Sequence, residues 1–133
     1  MLESRASESK IFEKTTPYVI TLAPGADLFA ELRSFLRRGG WEEAWVVSGV
    51  GSLERVVICY PRDRTLPPVI ERVTLEGPFE IASLSGSLRA EGKEVHVHLH
   101  GSFSQKGSKM YGGAVGDGSK VFKIAEILLL VRG

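Results

Sequence analysis

Apolar residues recur along the chain in short segments that predict a mostly β structure. The segments are rich in β-branched and aromatic residues and are bounded by glycine, proline or polar residues, as is typical of strands. We predict strands over residues 18–22, 44–50, 56–60, 69–75, 79–85, 95–104 and 121–131. The last segment is apolar on both faces apart from Lys123 and Glu126. This pattern is typical of a central strand, or of a strand buried in an oligomer.

One long helix is predicted directly after the first strand. Asp27 can cap its start, and the glycines at 39 and 40 end it. The apolar residues between them fall on one helical face: Leu28, Leu32, Phe35 and Leu36. Strands joined by short turns, with one early helix, predict an α+β domain in which a mostly antiparallel sheet carries its helix on one face.

Length and charge exclude several classes of protein. The 133 residues suffice for one domain, and we place it at residues 10–133 after a flexible tail, 1–9. With 17 basic and 16 acidic residues the net charge is +1, which argues against a protein that mainly wraps nucleic acid. The longest apolar run, 127–131, is too short to span a membrane, and residues 1–16 lack the apolar stretch of a secretory signal. Since Cys59 is the only cysteine, no internal disulfide forms, and we expect a cytoplasmic protein.

The segment 95–104 carries the clearest chemical signal. Alternation places His96, His98 and His100, which are all the histidines of the protein, on one face of the predicted strand. Imidazoles at positions i and i+2 can reach one zinc ion, whereas residues four apart are separated by roughly 13 Å. A metal site would therefore use two histidines and a further ligand. The candidates are a residue of a symmetry partner or one of three acids: Glu80, Glu126 and Asp117. The alternative is a histidine-rich polar face that is hydrogen-bonded or lines a subunit interface.

Other residues admit both a functional and a structural interpretation. Glu80 and Glu126 lie inside apolar strands, where a buried carboxylate acts as a general base or metal ligand, or as a hydrogen-bonded core acid or trimer contact. Four lysines, at 106, 109, 120 and 123, lie in or beside a glycine-rich segment, residues 107–118, which predicts either a mobile loop or an anion-binding loop. The anion or ligand candidates there are Lys109, Tyr111, Gly112 and Gly113. Tyr111 would stack on a ligand or simply pack.

Five segments in a fixed order resemble the PPC domain (plants and prokaryotes conserved domain, also called DUF296). The segments are 48–53 (SGVGSL), 77–86 (GPFEIASLSG), 96–100 (HVHLH), 112–115 (GGAV) and the final apolar strand with Ala125 and Glu126. The resemblance covers nearly the whole chain after the tail. It implies an α+β sandwich that assembles as a homotrimer, with a zinc site on the histidine strand in some prokaryotic members. In plants the domain follows AT-hook motifs in nuclear DNA-binding proteins. The fold is also similar to that of acetolactate decarboxylase, a zinc enzyme.

Two departures from the family pattern affect these expectations. The family often has Gly-Gly-His where this chain has Gly112, Gly113 and Ala114. If that histidine is a usual metal ligand, Ala114 removes it, and the metal site is then either weakened or rebuilt with His100. Pro78 and Ala82 stand where plant members have Arg and Leu, so the plant partner surface is not expected here. The sequence also lacks an AT-hook.

Three functional hypotheses follow. The first is a homotrimer that binds zinc through His96 and His98, with His100 or an acid such as Glu80 completing the site. The second is a DNA-binding or transcription-associated regulatory oligomer without catalysis, which the charge balance disfavours. The third is a small-molecule metalloenzyme, which rests on fold analogy alone. We favour the first hypothesis. We also expect the protein to have no catalytic role and not to associate with a membrane.

Overall fold

The computed structural model describes residues 5–8, 10 and 13–133. Residues 5–8 are exposed and have no regular secondary structure, and the rest of the predicted tail 1–9 lies outside the described residues. Seven elements follow in the order β1 (Thr16–Leu22), α1 (Leu28–Gly39), β2 (Glu43–Pro61), β3 (Ile70–Glu91), β4 (Glu94–Gln105), β5 (Lys109–Val115) and β6 (Lys120–Arg132).

The six strands form one antiparallel sheet in the order β1-β6-β2-β3-β4-β5. The far end of β2 also pairs with β5, through Ile58 opposite Val115 and Cys59 opposite Ala114, so the part from β2 to β5 closes on itself. The α+β class with a mostly antiparallel sheet and one helix is confirmed for the described residues, but the strands form one curled sheet and not two stacked ones. Since β6 lies between β1 and β2, the central-strand prediction is also confirmed.

The helix forms where its end signals predict it. The side chain of Asp27 accepts a hydrogen bond from the backbone N–H of Ala30 at 2.9 Å, and Gly40 ends the helix in the left-handed conformation. The apolar face of α1 is buried in the core formed with the sheet, through Leu28, Phe29, Leu32, Phe35 and Leu36. Burial of each such side chain contributes about 1.5–3 kcal/mol. The helix therefore covers the inner face of the sheet and leaves the opposite face to other contacts.

Two pairs of predicted strands are each one long strand. Segments 44–50 and 56–60 both belong to β2, which continues through its glycines with register shifts against β6. Segments 69–75 and 79–85 both belong to β3, which runs through Gly77 and Pro78. The predicted breaks were wrong because glycine and proline here accompany irregular pairing within a strand and do not end it.

The predicted glycine-rich loop is largely a strand. Residues Lys109–Val115 form β5, which pairs with β4 along its length and with β2 at its end. This part of the loop prediction was wrong: of residues 107–118, only the turn residues 107–108 and the connection from residue 116 onward lie outside a strand. Glycines in β5 fit the crowded backbone there, because a Cβ on Gly112 would lie 2.9 Å from the carbonyl oxygen of Gly101.

The tip of the β2–β3 hairpin, residues 62–69, is exposed throughout. The backbone N–H of Arg62 donates to the carbonyl of Val69 at 2.9 Å and closes its base. Within the tip, Asp63 accepts a hydrogen bond from the backbone N–H of Thr65, which lowers the pKa of its carboxyl. Among the described residues, no helix has the length and apolar character needed to cross a bilayer.

Candidate metal-binding site

The histidine strand has the alternation that its sequence predicts. In β4 the side chains of Val95, Leu99 and Phe103 are buried in the core. The three histidines are exposed on the opposite face, which we call the outer face of the sheet. This arrangement follows from the two-residue repeat of a strand that packs on a core from one side only.

His98 and His100 converge on one point. Their Nε2 atoms lie 3.2 Å apart, and their ring centroids are 5.0 Å apart at an angle of 76°. Two imidazoles that bind one tetrahedral zinc ion at 2.0–2.1 Å place their nitrogens about 3.3 Å apart. The separation of the two nitrogens fits both a hydrogen bond between the rings and a shared zinc ion.

His96 points elsewhere. Its Nε2 lies 3.0 Å from Oε2 of Glu91, at the turn between β3 and β4. Both side chains are more than half exposed, at 59% and 56%. The sequence analysis placed the ion on His96 and His98, with His100 or an acid completing the site. The structure instead brings together His98 and His100, and gives His96 an acidic partner of its own.

The acids predicted as further ligands lie away from the pair. Glu80 is opposite Ser104, four residues along β4 from His100, which corresponds to roughly 13 Å. Asp117 is held by Arg33, with 2.7 Å between Oδ1 and Nη1. Glu126 is exposed on β6. Within the part of the chain that the structure describes, no three His, Cys, Asp or Glu side chains come together as a metal-binding group. Glu80 and Glu126 are both exposed, so the expectation that they are buried in apolar strands was wrong.

Ala114 occupies the position beside the pair where a third ligand would be expected. It lies directly opposite His100 in the pairing of β4 with β5. Paired residues point to the same face, with Cβ atoms about 4.5–5.5 Å apart. The methyl group of Ala114 supplies no donor, so one chain offers two of the three protein ligands that an open zinc site typically has.

The outer face also carries hydroxyl groups near the histidines. Ser87 lies opposite His98, and Ser85 lies opposite His100. Next along the sheet, the hydroxyls of Ser83 and Ser102 are hydrogen-bonded at 2.8 Å. The sequence analysis missed these serines, because only the register between β3 and β4 shows that they border the histidines.

The ligand candidates of β5 are placed as parts of a strand. Tyr111 is half-buried against the core, edge-on to Phe79 with ring centroids 5.8 Å apart. Gly112 pairs with Ser102, Gly113 faces Ile58, and Lys109 is exposed at the start of the strand. Of the two roles considered for Tyr111, the structure favours packing.

An apolar strip lies on the outer face next to the histidines. We define the outer apolar strip as the side chains of Val19, Trp45, Val47, Val50, Leu128 and Leu130, which are exposed or half-buried. Strand pairing aligns it with the metal pair, because one row across the sheet runs Leu130, Trp45, Ser87 and His98. Contiguous exposed apolar surface of this kind is typical of contacts between proteins.

The match to a family model identifies the chain. Residues 9–131 match the Plants and Prokaryotes Conserved (PCC) domain. The chain belongs to the PCC domain family. This is the family, abbreviated PPC above, that the sequence resemblance indicates.

Two curated relatives are similar to this chain over part of their length. The chain is 34% identical over 112 residues, 84% of its length, to a bifunctional protein GlmU of Synechococcus. It is 30% identical over 102 residues, 76% of its length, to AT-hook motif nuclear-localized protein 14 of Arabidopsis thaliana. The chain spans only 16% and 23% of these relatives.

Solved structures share the fold. A metal-containing protein from Archaeoglobus fulgidus superposes with a TM-score of 0.80 at 26% identity, over 96% of this chain and 87% of that one. The α-acetolactate decarboxylase of Bacillus subtilis has a TM-score of 0.56 at 16% identity, over 87% of this chain and 52% of that one. The second comparison concerns the fold alone.

Proposed function

We propose that this PCC domain forms a homotrimer and holds a divalent metal ion, zinc by its donor chemistry, between His98 and His100. The observation that carries the metal proposal is the 3.2 Å separation of the two Nε2 atoms. Imidazole is a preferred ligand for zinc and its neighbours in the first transition row. The structural relative from Archaeoglobus fulgidus is a metal-containing protein, which supports metal binding by this fold.

The two histidines leave coordination positions to be filled from outside the chain. Because Ala114 offers no donor, water or a side chain of a neighbouring copy would complete the shell. The outer apolar strip supports the second source, since it shares a row of the sheet with His98. A copy packed on the strip would lie close to the histidine pair.

Zinc binding by variants of the untagged protein tests this proposal. We expect His98→Ala and His100→Ala each to weaken zinc binding at least tenfold, because each removes half of the pair. His96→Ala is the matched control: it removes an exposed histidine from the same strand and should leave zinc affinity unchanged. Equal zinc affinity in all four proteins would refute the metal site.

DNA binding is a second candidate, supported by the AT-hook relative and by two lysines. Lys106 and Lys109 are exposed at the β4–β5 turn, and neither forms an ion pair among the described residues. Under this candidate, the protein binds duplex DNA with an affinity that falls steeply as salt rises, and replacing both lysines with glutamine flattens that dependence. Failure to bind duplex DNA at low salt would exclude it.

A further inference from the structure

A cleft of about 290 Å³ is lined by residues of β3, β4, β6 and the β4–β5 turn. It lies on the side of Ser104, roughly 13 Å from His100 by the rise of the strand. It is therefore separate from the metal pair. Its lining residues are Pro78, Phe79, Glu80, Ser104, Lys106, Gly107 and Phe122.

The cleft combines an apolar wall with two opposite charges. Phe122 is 50% exposed there and Pro78 is exposed beside it, whereas Phe79 lies buried beneath them. Glu80 and Lys106 border the cleft without pairing with each other or with another described residue. Small-molecule sites typically have this composition, with mostly apolar walls and a few polar groups that fix orientation.

Lys106 occupies a backbone position that lysine rarely adopts. It is the first central residue of the β4–β5 turn, with φ of 52°, and Gly107 follows with φ of 71°. The N–H of Ser108 donates to the carbonyl of Gln105 at 3.3 Å and closes the turn. Turns with two positive φ angles usually have asparagine or aspartate at this position, since other side chains are strained there. Strain of this kind concentrates where a side chain has a function.

The arginines that line a second charged cleft are already bound to other parts of the protein. This cleft is lined by Arg33, Arg37, Glu94 and Val95. Its guanidinium groups already bind the protein, since Arg33 contacts Asp117 and the carbonyl of Val95. Arg37 donates to the carbonyl of Lys93. In that cleft only Glu94 lacks a partner among the described residues, whereas the cleft beside Phe122 has both an acid, Glu80, and a base, Lys106, without one.

We infer that the cleft beside Phe122 binds an apolar α-amino acid. Glu80 binds the ammonium group, Lys106 binds the carboxylate, and Phe122 and Pro78 contact the side chain. The hydroxyl of Ser104, directly opposite Glu80, is placed to accept a further hydrogen bond from the ammonium group. A ligand with only one of the two charges would leave either Glu80 or Lys106 without a partner.

Three probes separate the contributions of the two charges. L-phenylalanine carries both charges, 3-phenylpropanoate lacks the ammonium group, and 2-phenylethylamine lacks the carboxylate. Binding to the full zinc-free chain is measured by calorimetry and by NMR shifts. For a small open cleft we expect L-phenylalanine to bind with a Kd of about 1 mM, at least tenfold more tightly than either partial probe.

Substitutions test which residue binds the ammonium group of the ligand and which binds its carboxylate. Glu80→Gln should weaken L-phenylalanine at least tenfold and leave 3-phenylpropanoate unchanged. Lys106→Asn should weaken L-phenylalanine and 3-phenylpropanoate but not 2-phenylethylamine, and asparagine suits the turn, so the fold is retained. Lys109→Asn is the matched control, since it removes a nearby lysine outside the cleft. Binding that does not saturate at about ten times the expected Kd, or equal binding by all variants, would overturn the inference. Neither result depends on the metal pair, because the protein is zinc-free.

Discussion

His100 and Ala114 are directly opposed in the antiparallel pairing of β4 with β5. This relationship shows how alanine in place of histidine at position 114 affects the metal site. A histidine at 114 would lie on the same face as His100, within reach of an ion held by the pair. In this chain the pair has the spacing for zinc but lacks that ligand.

Restoring the missing ligand should strengthen the site. We expect Ala114→His to raise zinc affinity at least tenfold, because a third imidazole replaces water in the coordination shell. Competition with a chromophoric chelator measures the affinity. Ala114→Val is the control, since valine suits a strand and supplies no donor. If the histidine and valine variants bind zinc equally, position 114 does not face the ion.

Charge placed on the outer apolar strip should separate the proposed trimer. Trp45 is 37% exposed and shares its row with His98, so Trp45→Glu would place a carboxylate in the contact. Light scattering should give three times the 14.5 kDa of one chain for the unaltered protein and one chain mass for the variant. Leu66→Glu is the control, because Leu66 is 84% exposed at the hairpin tip, away from the strip. A monomeric unaltered protein at micromolar concentration would contradict the trimer.

The approach of β3 to β4 behind His98 depends on Gly86. A Cβ at this position would lie 1.9 Å from the carbonyl oxygen of His98. Gly86→Ala should therefore destabilise the fold by roughly 2–3 kcal/mol in urea unfolding. At Gly92, where a Cβ meets nothing within 4 Å, alanine should cost about 1 kcal/mol from backbone conformation alone. Equal losses at the two positions would show that crowding at Gly86 has no effect.

Hydrogen bonds of the Ser119 side chain hold the short connection between β5 and β6 against β2. Its hydroxyl is fully buried, donates to the carbonyl of Gly116 and accepts from the N–H of Val57, each at 3.0 Å. Ser119→Ala should lower the free energy of unfolding by about 1–3 kcal/mol, because it leaves two buried backbone groups without a partner. Ser83→Ala, which removes an exposed hydroxyl, should change stability by less than about 0.5 kcal/mol. A loss at Ser119 no larger than at Ser83 would contradict this account.

Features set by neighbouring residues could be predicted from the sequence. The helix follows from its cap at Asp27 and its apolar face, and both are local signals. The outward direction of the histidines follows from strict alternation in β4. These predictions hold because secondary-structure geometry alone determines them.

Features set by strand pairing could not be predicted. The side chains of His98 and His100 lie together, while the turn between β3 and β4 places Glu91 beside His96. Ala114 lies beside His100 because β5 pairs with β4. The glycines of β5 led us to predict a loop there instead of a strand. Pairing between residues distant in sequence depends on the whole fold, and local composition does not encode its register.

The pairing of β5 with the end of β2 separates the hairpin tip from the rest of the molecule. Beyond Ile58 and Cys59, residues 62–69 project past the closed part of the sheet and are exposed. Chain length at such a position can change at little energetic cost. A fluorescent reporter or a purification tag could therefore be inserted within the tip. A tag other than polyhistidine would be used there, because polyhistidine itself competes for zinc.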